Sequence, residues 1–379
     1  MRFVADLGDI FPPLLAAAVV AAGISLLLTP AVRAWVTGLG MVDAPDERRV
    51  NLAPVARGGG IAVAAAFALV ALAAIVLTHS GDDLPNSGPT DGRALAALVG
   101  GGALAIVLGA LDDYFQLRAR WQLAGQVVLA LGAIALGLNV GFVNNPVGPG
   151  TIRFDGVVAV VVTTLWIVGM INSINFIDGL DGLSSGIGII AALTLGLISL
   201  TPTIGQPFVA LLCFALAGAL LGFLRWNFHP ASIFVGTSGV MFIGYTLAVL
   251  SILGTAKVAV ALLVLGVPII DTFWIIVRRV ASGRSPFTPD RGHIHHRLLD
   301  LGLSHRQTVV LIYAICAGLA VLSFVLSGSG QIYAFLGIVV VSGIVLFFLT
   351  RRSLDVEELE PEAYRDAALG AVDRVDRGG

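Results

Sequence analysis

The fold class this sequence predicts is all-α: a polytopic transmembrane helical bundle of about eleven spans, with the N-terminus outside and the C-terminus cytoplasmic. Three observations predict it. Of 379 residues, 57% are hydrophobic and only 12% charged, more apolar surface than a soluble core of normal size can hide. Apolar runs of about the 20 residues that cross a bilayer recur along the chain. Lys and Arg gather on alternate sides of those runs, which fixes an orientation.

Dividing the chain at its polar interruptions places the spans at 12–36, 58–78, 94–111, 122–142, 157–171, 183–200, 207–224, 233–254, 258–277, 309–327 and 331–350. The opening MRFVADLGDIFPP has neither the basic leader nor the small-residue cleavage site of a secretory signal, so the first span is expected to stay in the mature protein. The fifth span and the one opening near Phe234 begin in short or Gly-interrupted stretches. Gly100-Gly101-Gly102 suits close helix contact in lipid. Cys213 and Cys316 sit in apolar runs and read as small buried hydrophobes.

Arg2, Arg93, Arg153 and Lys257 fall on one side of these spans, and the other eighteen of the 22 basic residues fall on the opposite side. Positive-inside bias makes that second side cytoplasmic. A net charge of -2 gives no general basic field, which excludes a nucleic-acid partner. Residues 1–350 read as a single integral membrane domain and 351–379, polar and acidic, as a cytoplasmic tail.

Span interiors are nearly free of charge, Asp271 late in the ninth being the exception; a transporter would place ionisable groups near mid-span. Chemistry is expected at one membrane surface, in four loops. The first, DAPDERRVNLAPVARGGG, carries Arg48, Arg49 and Arg57, which can meet phosphate but in this position are ordinarily topogenic. The second begins at Asp112-Asp113, where paired carboxylates suit a metal or a proton transfer, against the plain reading of a solvated loop start. The third, NSINFIDGLDGLSSG, spaces Asn172, Asn175, Asp178 and Asp181 three apart. On a helix that spacing gathers oxygens on one face and suits a hard cation such as Mg²⁺, and Gly179, Gly182 and Gly186 let backbone approach a ligand. The fourth, PDRGHIHHRLLDLGLSHRQ, sets His293, His295 and His296 between Arg291 and Arg297. It can grip a pyrophosphate; zinc is the rival, disfavoured because no i, i+4 histidine pair or Cys companion is present.

These four motifs, in this order between these spans, resemble the polyprenyl-phosphate N-acetylhexosamine-1-phosphate transferases, glycosyltransferase family 4, over roughly residues 10–350. HIHHRLLDLGLSHRQ is similar to the undecaprenyl-phosphate N-acetylglucosamine-1-phosphate transferase branch. The resemblance implies transfer of a sugar-1-phosphate from a UDP-sugar, N-acetylglucosamine foremost, to undecaprenyl phosphate. UMP is released and a lipid-linked cell-envelope glycan begins. It implies a bacterial plasma membrane enzyme whose active site faces the cytoplasm, free to form a homo-oligomer, with Mg²⁺ as cofactor and Mn²⁺ as a substitute. Asp112, Asp113, Asp178 and His295 are then catalytic. Arg57, Asp181, His293, His296 and Arg297 bind substrate, while Asn175, Asp178 and Thr237 hold the metal.

Four positions depart from the family pattern. Its Phe-x-Gly-Asp-Ser-Gly segment reads FVGTSG here, so Thr237 stands where an aspartate ligates the metal. Asn51 replaces a His, and Gln122 and Ser232 replace lysines. A hydroxyl is a weaker ligand than a carboxylate, so the alternative is a weakened or silent member that acts as a membrane scaffold or lipid-binding protein.

Overall fold

The computed structural model describes residues 2–43, 54–80, 91–145, 148, 150–202, 204–253, 257–281, 283, 285, 293–326 and 329–344. Arg48, Arg49, Asn51, Arg291 and the tail 351–379 lie outside them. The chain divides into two compact units, Met1–Phe335 and Leu336–Gly379, and the four polar motifs all belong to the first.

The order is α1 (Arg2–Gly38), a two-residue hairpin of β1 (Val42–Asp43) and β2 (Val55–Ala56), α2 (Gly60–Ser80), α3 (Gly92–Phe115) and α4 (Ala119–Ala135). A second hairpin, β3 (Phe142–Asn144) with β4 (Thr151–Arg153), leads to α5 (Gly156–Ile177), α6 (Leu183–Ser199), α7 (Pro207–Asn227) and α8 (Gly236–Leu253). Then come α9 (Lys257–Val264), α10 (Gly266–Ala281), α11 (Ile294–Asp300) and α12 (His305–Val325), and an apolar helix runs from Ser329 to Ile344. Both hairpins are antiparallel.

Among the described residues seven helices are long and apolar enough to cross a membrane, and eight if the bent pair Val258–Val264 and Gly266–Ala281 counts as one. Within the described residues each of the eleven expected spans overlaps a helix, the ninth as the bent pair, but α4, α6 and Ser329–Ile344 are shorter than that. Several boundaries move: α1 begins ahead of residue 12 and α5 runs past 171 to Ile177. Residues 233–235, expected at the start of a span, are extended and bridge to Ala56; the span expected to run to 142 stops at Ala135.

α7 and α8 form the buried centre. α7 packs on α1, α6 and α2, and α8 on α3, α5 and α2. Close approach rests on small residues, as expected where lipid offers no hydrophobic drive. Gly218 and Gly222 of α7 lie against the Ala18 and Ala22 carbonyls of α1, where a Cβ would collide with backbone. Gly101, in the glycine triplet, makes room for the Tyr245 ring, whose hydroxyl donates to the Ala97 carbonyl at 2.7 Å. Polar ties add to this: Asn172 Nδ2 donates to Gln126 Oε1 at 2.6 Å, an interhelical bond of the kind worth about 0.6 kcal/mol in a membrane.

Candidate active site

α3, α5 and α7 end, and α6, α8 and α12 begin, at the same end of the bundle. There a cavity of ≈ 270 Å³ opens, walled by Arg57, Asn175, Asp178, Asp181 and Thr237, with His296 and His305 completing the rim. Arg93 and Arg153, two of the four basic residues set apart by sequence, lie at the start of α3 and just before α5, at the other end.

The wall is built from the backbone up. Phe234 N donates to Ala56 O at 2.8 Å, and Gly59 N and Gly60 N donate to Phe234 O and Val235 O at 2.9 Å each. This zips the β2 end to the segment entering α8 and brings Arg57 beside Thr237. Gly236 turns the chain with φ +73°, and a Cβ there would meet the Asp113 carboxylate at 2.7 Å; only glycine serves. Asp113 then accepts from Thr237 N at 2.7 Å and Ser238 N at 2.9 Å. These are first-turn donors of α8 that have no intrahelical partner.

That bonding engages the aspartate pair, expected to be catalytic, in building the site. Neither carboxylate is on the cavity wall. Asp113, its side chain fully shielded, caps α8 and lies 3.9 Å from Arg57 Nε. Asp112 accepts from Leu117 N at 3.0 Å and Gln122 Nε2 at 2.8 Å, closing the turn from α3 to α4. Gln122, where the family pattern has a lysine, thus meets Asp112 with an amide.

The third motif is not one helical face. α5 stops at Ile177 and Asp178 is its C-cap; Asn172 turns to Gln126 and the Val168 carbonyl, away from the cavity. Asn175, Asp178 and Asp181 do converge. Ser184 Oγ donates to Asp178, yet desolvation lifts the Asp178 pKa to about 7, Ser184 and Arg57 opposing the rise and Asp113 and Asp181 adding to it. Asp181 accepts from His229 Nδ1 at 2.7 Å and Ala231 N at 3.0 Å. The glycines serve packing as much as ligand approach: a Cβ on Gly179 would strike the His295 imidazole, and one on Gly186 the Tyr313 ring.

The histidine motif stays clustered, the His295 ring lying 5.4 Å from His293 and 4.4 Å from His296 between centroids, but its members divide their roles. His293 Nδ1 pairs with Asp271 Oδ2 at 2.8 Å, and Ile294 N donates to Asp271 Oδ1 at 2.8 Å, which accounts for the lone charge in the ninth span. His295 is 1% exposed and, among the described residues, its ring nitrogens have no hydrogen-bond partner. Burial, with the neighbouring histidines, holds its pKa well below the usual imidazole range. Of the triplet only His296 lines the cavity, and Arg297 does not. The structure therefore moves His293, His295 and Arg297 off the wall. It adds His305 to the wall, with His229 against Asp181 beside it; sequence reading passed over both as single histidines in NFHP and SHRQ, and the available signal was that both lie on the basic side of the spans.

Asn175, Asp178 and Thr237 offer an amide, a carboxylate and a hydroxyl oxygen to one cavity. All are hard oxygen donors, and Asp178 is a desolvated carboxylate beside two more anions. That set fits a divalent cation such as Mg²⁺.

The glycosyl transferase family 4 model matches residues 95–255. A probable undecaprenyl-phosphate N-acetylglucosaminyl 1-phosphate transferase from Bacillus subtilis is 35% identical over 76% of this chain and 78% of its own length. A decaprenyl-phosphate N-acetylglucosaminephosphotransferase from Mycolicibacterium smegmatis is 35% identical over 88% of each chain. An undecaprenyl-phosphate alpha-N-acetylglucosaminyl 1-phosphate transferase from Yersinia pestis is 29% identical over 76% of this chain and 77% of its own. With the matched segment running from α3 through α8 and so carrying Asn175, Asp178, Asp181 and Thr237 of the cavity, and with relatives 35% identical over most of both chains, this multi-pass membrane protein belongs to glycosyl transferase family 4.

Proposed function

We propose that this chain transfers N-acetylglucosamine 1-phosphate from UDP-N-acetylglucosamine to a polyprenyl phosphate, releasing UMP, at the cytoplasmic face of a bacterial plasma membrane. The observation that carries the reading is one cavity, at the basic end of the bundle, in which Arg57 meets the oxygens of Asn175, Asp178 and Thr237. The names of the relatives support the same chemistry.

The lipid phosphate oxygen attacks the sugar-linked phosphorus in line. A P–O bond forms, the bond to the UMP oxygen breaks, and its electron pair leaves with UMP. A phosphate monoester, with a second pKa of about 6, is already mostly ionised at pH 7 and needs no buried base. Such a step depends on alignment and charge neutralisation. Arg57 neutralises phosphate oxygens, and His296 donates to them. Asn175, Asp178 and Thr237 would hold Mg²⁺, or Mn²⁺ in its place, which when bound offsets charge on the diphosphate. Asp113 is a positioning residue, because it sets the α8 N-terminus that carries Thr237.

The test supplies membranes containing the chain with labelled UDP-N-acetylglucosamine, undecaprenyl phosphate and Mg²⁺. Label extracted with the lipid, one UMP per lipid product, is expected. No lipid-linked label from this donor or from UDP-N-acetylgalactosamine, at saturating Mg²⁺, would leave the scaffold reading standing instead.

A further inference from the structure

At His293, His295 and His296 zinc was the disfavoured rival reading, and the structure packs their rings on one another without forming a set of three ligand atoms among the described residues. Three other segments bring a nitrogen-rich set together: Asp181 from the turn before α6, His229 from the turn after α7, and His305 from the first turn of α12. One ligand atom from each lies within 4.8 Å of the others. We infer that Asp181, His229 and His305 form a second cation site, of a different chemical class from the oxygen set at Asp178, that takes a borderline divalent transition metal such as Zn²⁺.

The chemistry of the donors separates the two sites. Mg²⁺ favours oxygen ligands, whereas two imidazoles and one carboxylate are a ligand set of zinc centres that keep one position open. The backbone that presents the ligands is tied down on each side. Ala231 N holds Asp181, Arg306 Nη2 holds the His229 carbonyl at 3.1 Å, and a capping box at Ser304 fixes the start of α12. His229 Nδ1 already faces Asp181 Oδ2 at 2.7 Å. His305 lies on the His229 ring with centroids 4.1 Å apart and planes at 19°. Among the described residues neither His305 ring nitrogen, both shielded from solvent, meets a hydrogen-bond partner at full bonding geometry, although Asp181 lies close enough to interact with the ring; such an arrangement costs free energy unless a ligand compensates it. A tetrahedral ion with ligands at about 2.0–2.2 Å needs ligand atoms about 3.4 Å apart. The half-buried His305 ring must therefore leave its stack and turn a nitrogen toward the carboxylate.

Asp181 and His305 both line the donor cavity, so the open position of such an ion faces the space that the sugar nucleotide takes in the proposed reaction. Under that reading zinc acts as an inhibitor competing with the donor. The metal-binding claim itself stands apart from the transfer reaction and is tested without it.

The full-length chain, purified in detergent and stripped with a chelator, is titrated with Zn²⁺ under millimolar Mg²⁺, which occupies the oxygen set. Bound zinc is counted by elemental analysis after desalting, and thermal unfolding is followed in parallel. One zinc per chain and a zinc-dependent rise in Tm are expected for the wild type. His229→Ala and His305→Ala should each weaken binding by more than the roughly 10–100-fold that loss of an outer-shell partner costs. His296→Ala should bind as the wild type does, and His305→Cys, which restores a metal ligand, should recover binding. Wild type that binds no zinc, or His305→Ala that binds as tightly as wild type, overturns the site. So does His296→Ala losing zinc while His305→Cys fails to recover it.

Discussion

Replacing Asp113 by alanine separates a structural carboxylate from a reacting one. The substitution removes the acceptor for two buried backbone donors, Thr237 N at 2.7 Å and Ser238 N at 2.9 Å. Each buried donor left without a partner costs about 1–3 kcal/mol, so the pair predicts a loss of about 2–6 kcal/mol. The lower end agrees with the roughly 0.5–2 kcal/mol measured for single N-cap deletions. Asp113→Asn keeps one acceptor oxygen and turns an NH₂ toward the other N–H, so about half of that loss, roughly 1–3 kcal/mol, is expected. The assay is thermal unfolding of the purified chain in detergent, followed by tryptophan fluorescence, with transfer rates normalised to folded protein. Wild type, Asn and Ala should melt in descending order, and the turnover of each should track its folded fraction and the placement of Thr237. Asp178→Asn gives the opposite pattern: transfer is lost and melting holds or rises, since a neutral amide escapes the desolvation that burdens the carboxylate. If Asp113→Ala melted with the wild type yet lost turnover, the carboxylate would belong to the chemistry and the capping argument would fail.

Three further outcomes are expected. Thr237→Asp adds an anionic ligand at a helix N-terminus, which suits both a hard cation and the helix dipole; the Mg²⁺ concentration giving half-maximal transfer should fall, and an unchanged or higher requirement would take Thr237 out of the metal site. Gly179→Ala drives a methyl group into the His295 imidazole, so stability and transfer should both drop. Adding His295→Ala should recover part of the stability, and additive losses in the double-mutant cycle would deny the contact. His295 is held neutral by burial in the native state but protonates near 6.5 when unfolded. The unfolded chain therefore binds the extra proton, and stability falls as pH drops through about 6.5. His295→Leu should remove up to about 1.4 kcal/mol per pH unit of that slope between pH 7 and 5, and parallel stability curves for the two proteins would show that His295 is not the group responsible.

His295 also shows where sequence reasoning and packing part. In the sequence it is a polar residue in a loop, so His295→Ala reads as a loss of activity alone. In the structure it fills the space beside Gly179 at 1% exposure, and its removal leaves a gap under the turn that carries Asp178. The glycine and the histidine are 116 residues apart, and nothing in either motif announces the contact.

What the sequence determined alone was the set of helices and the end of the bundle that carries the chemistry. Apolar runs near 20 residues must become helices in lipid, because every backbone group has to be satisfied within the segment. Basic residues sort by side for an electrostatic reason that needs no tertiary contact. Arg57, Asn175 and Asp178 were legible because each lies within a few residues of a span boundary at that end; His296 came from the histidine motif and Thr237 from the family resemblance. Only the tertiary structure decided which polar groups reach the cavity and which are consumed in building it. Asp113 meets α8 across 124 residues and Asp181 meets His229 across 48. A buried carboxylate is claimed by whatever donor the helix packing brings to it, and that packing depends on small-residue contacts such as Gly218 and Gly222 on α1, which the local pattern of the polar motifs does not encode.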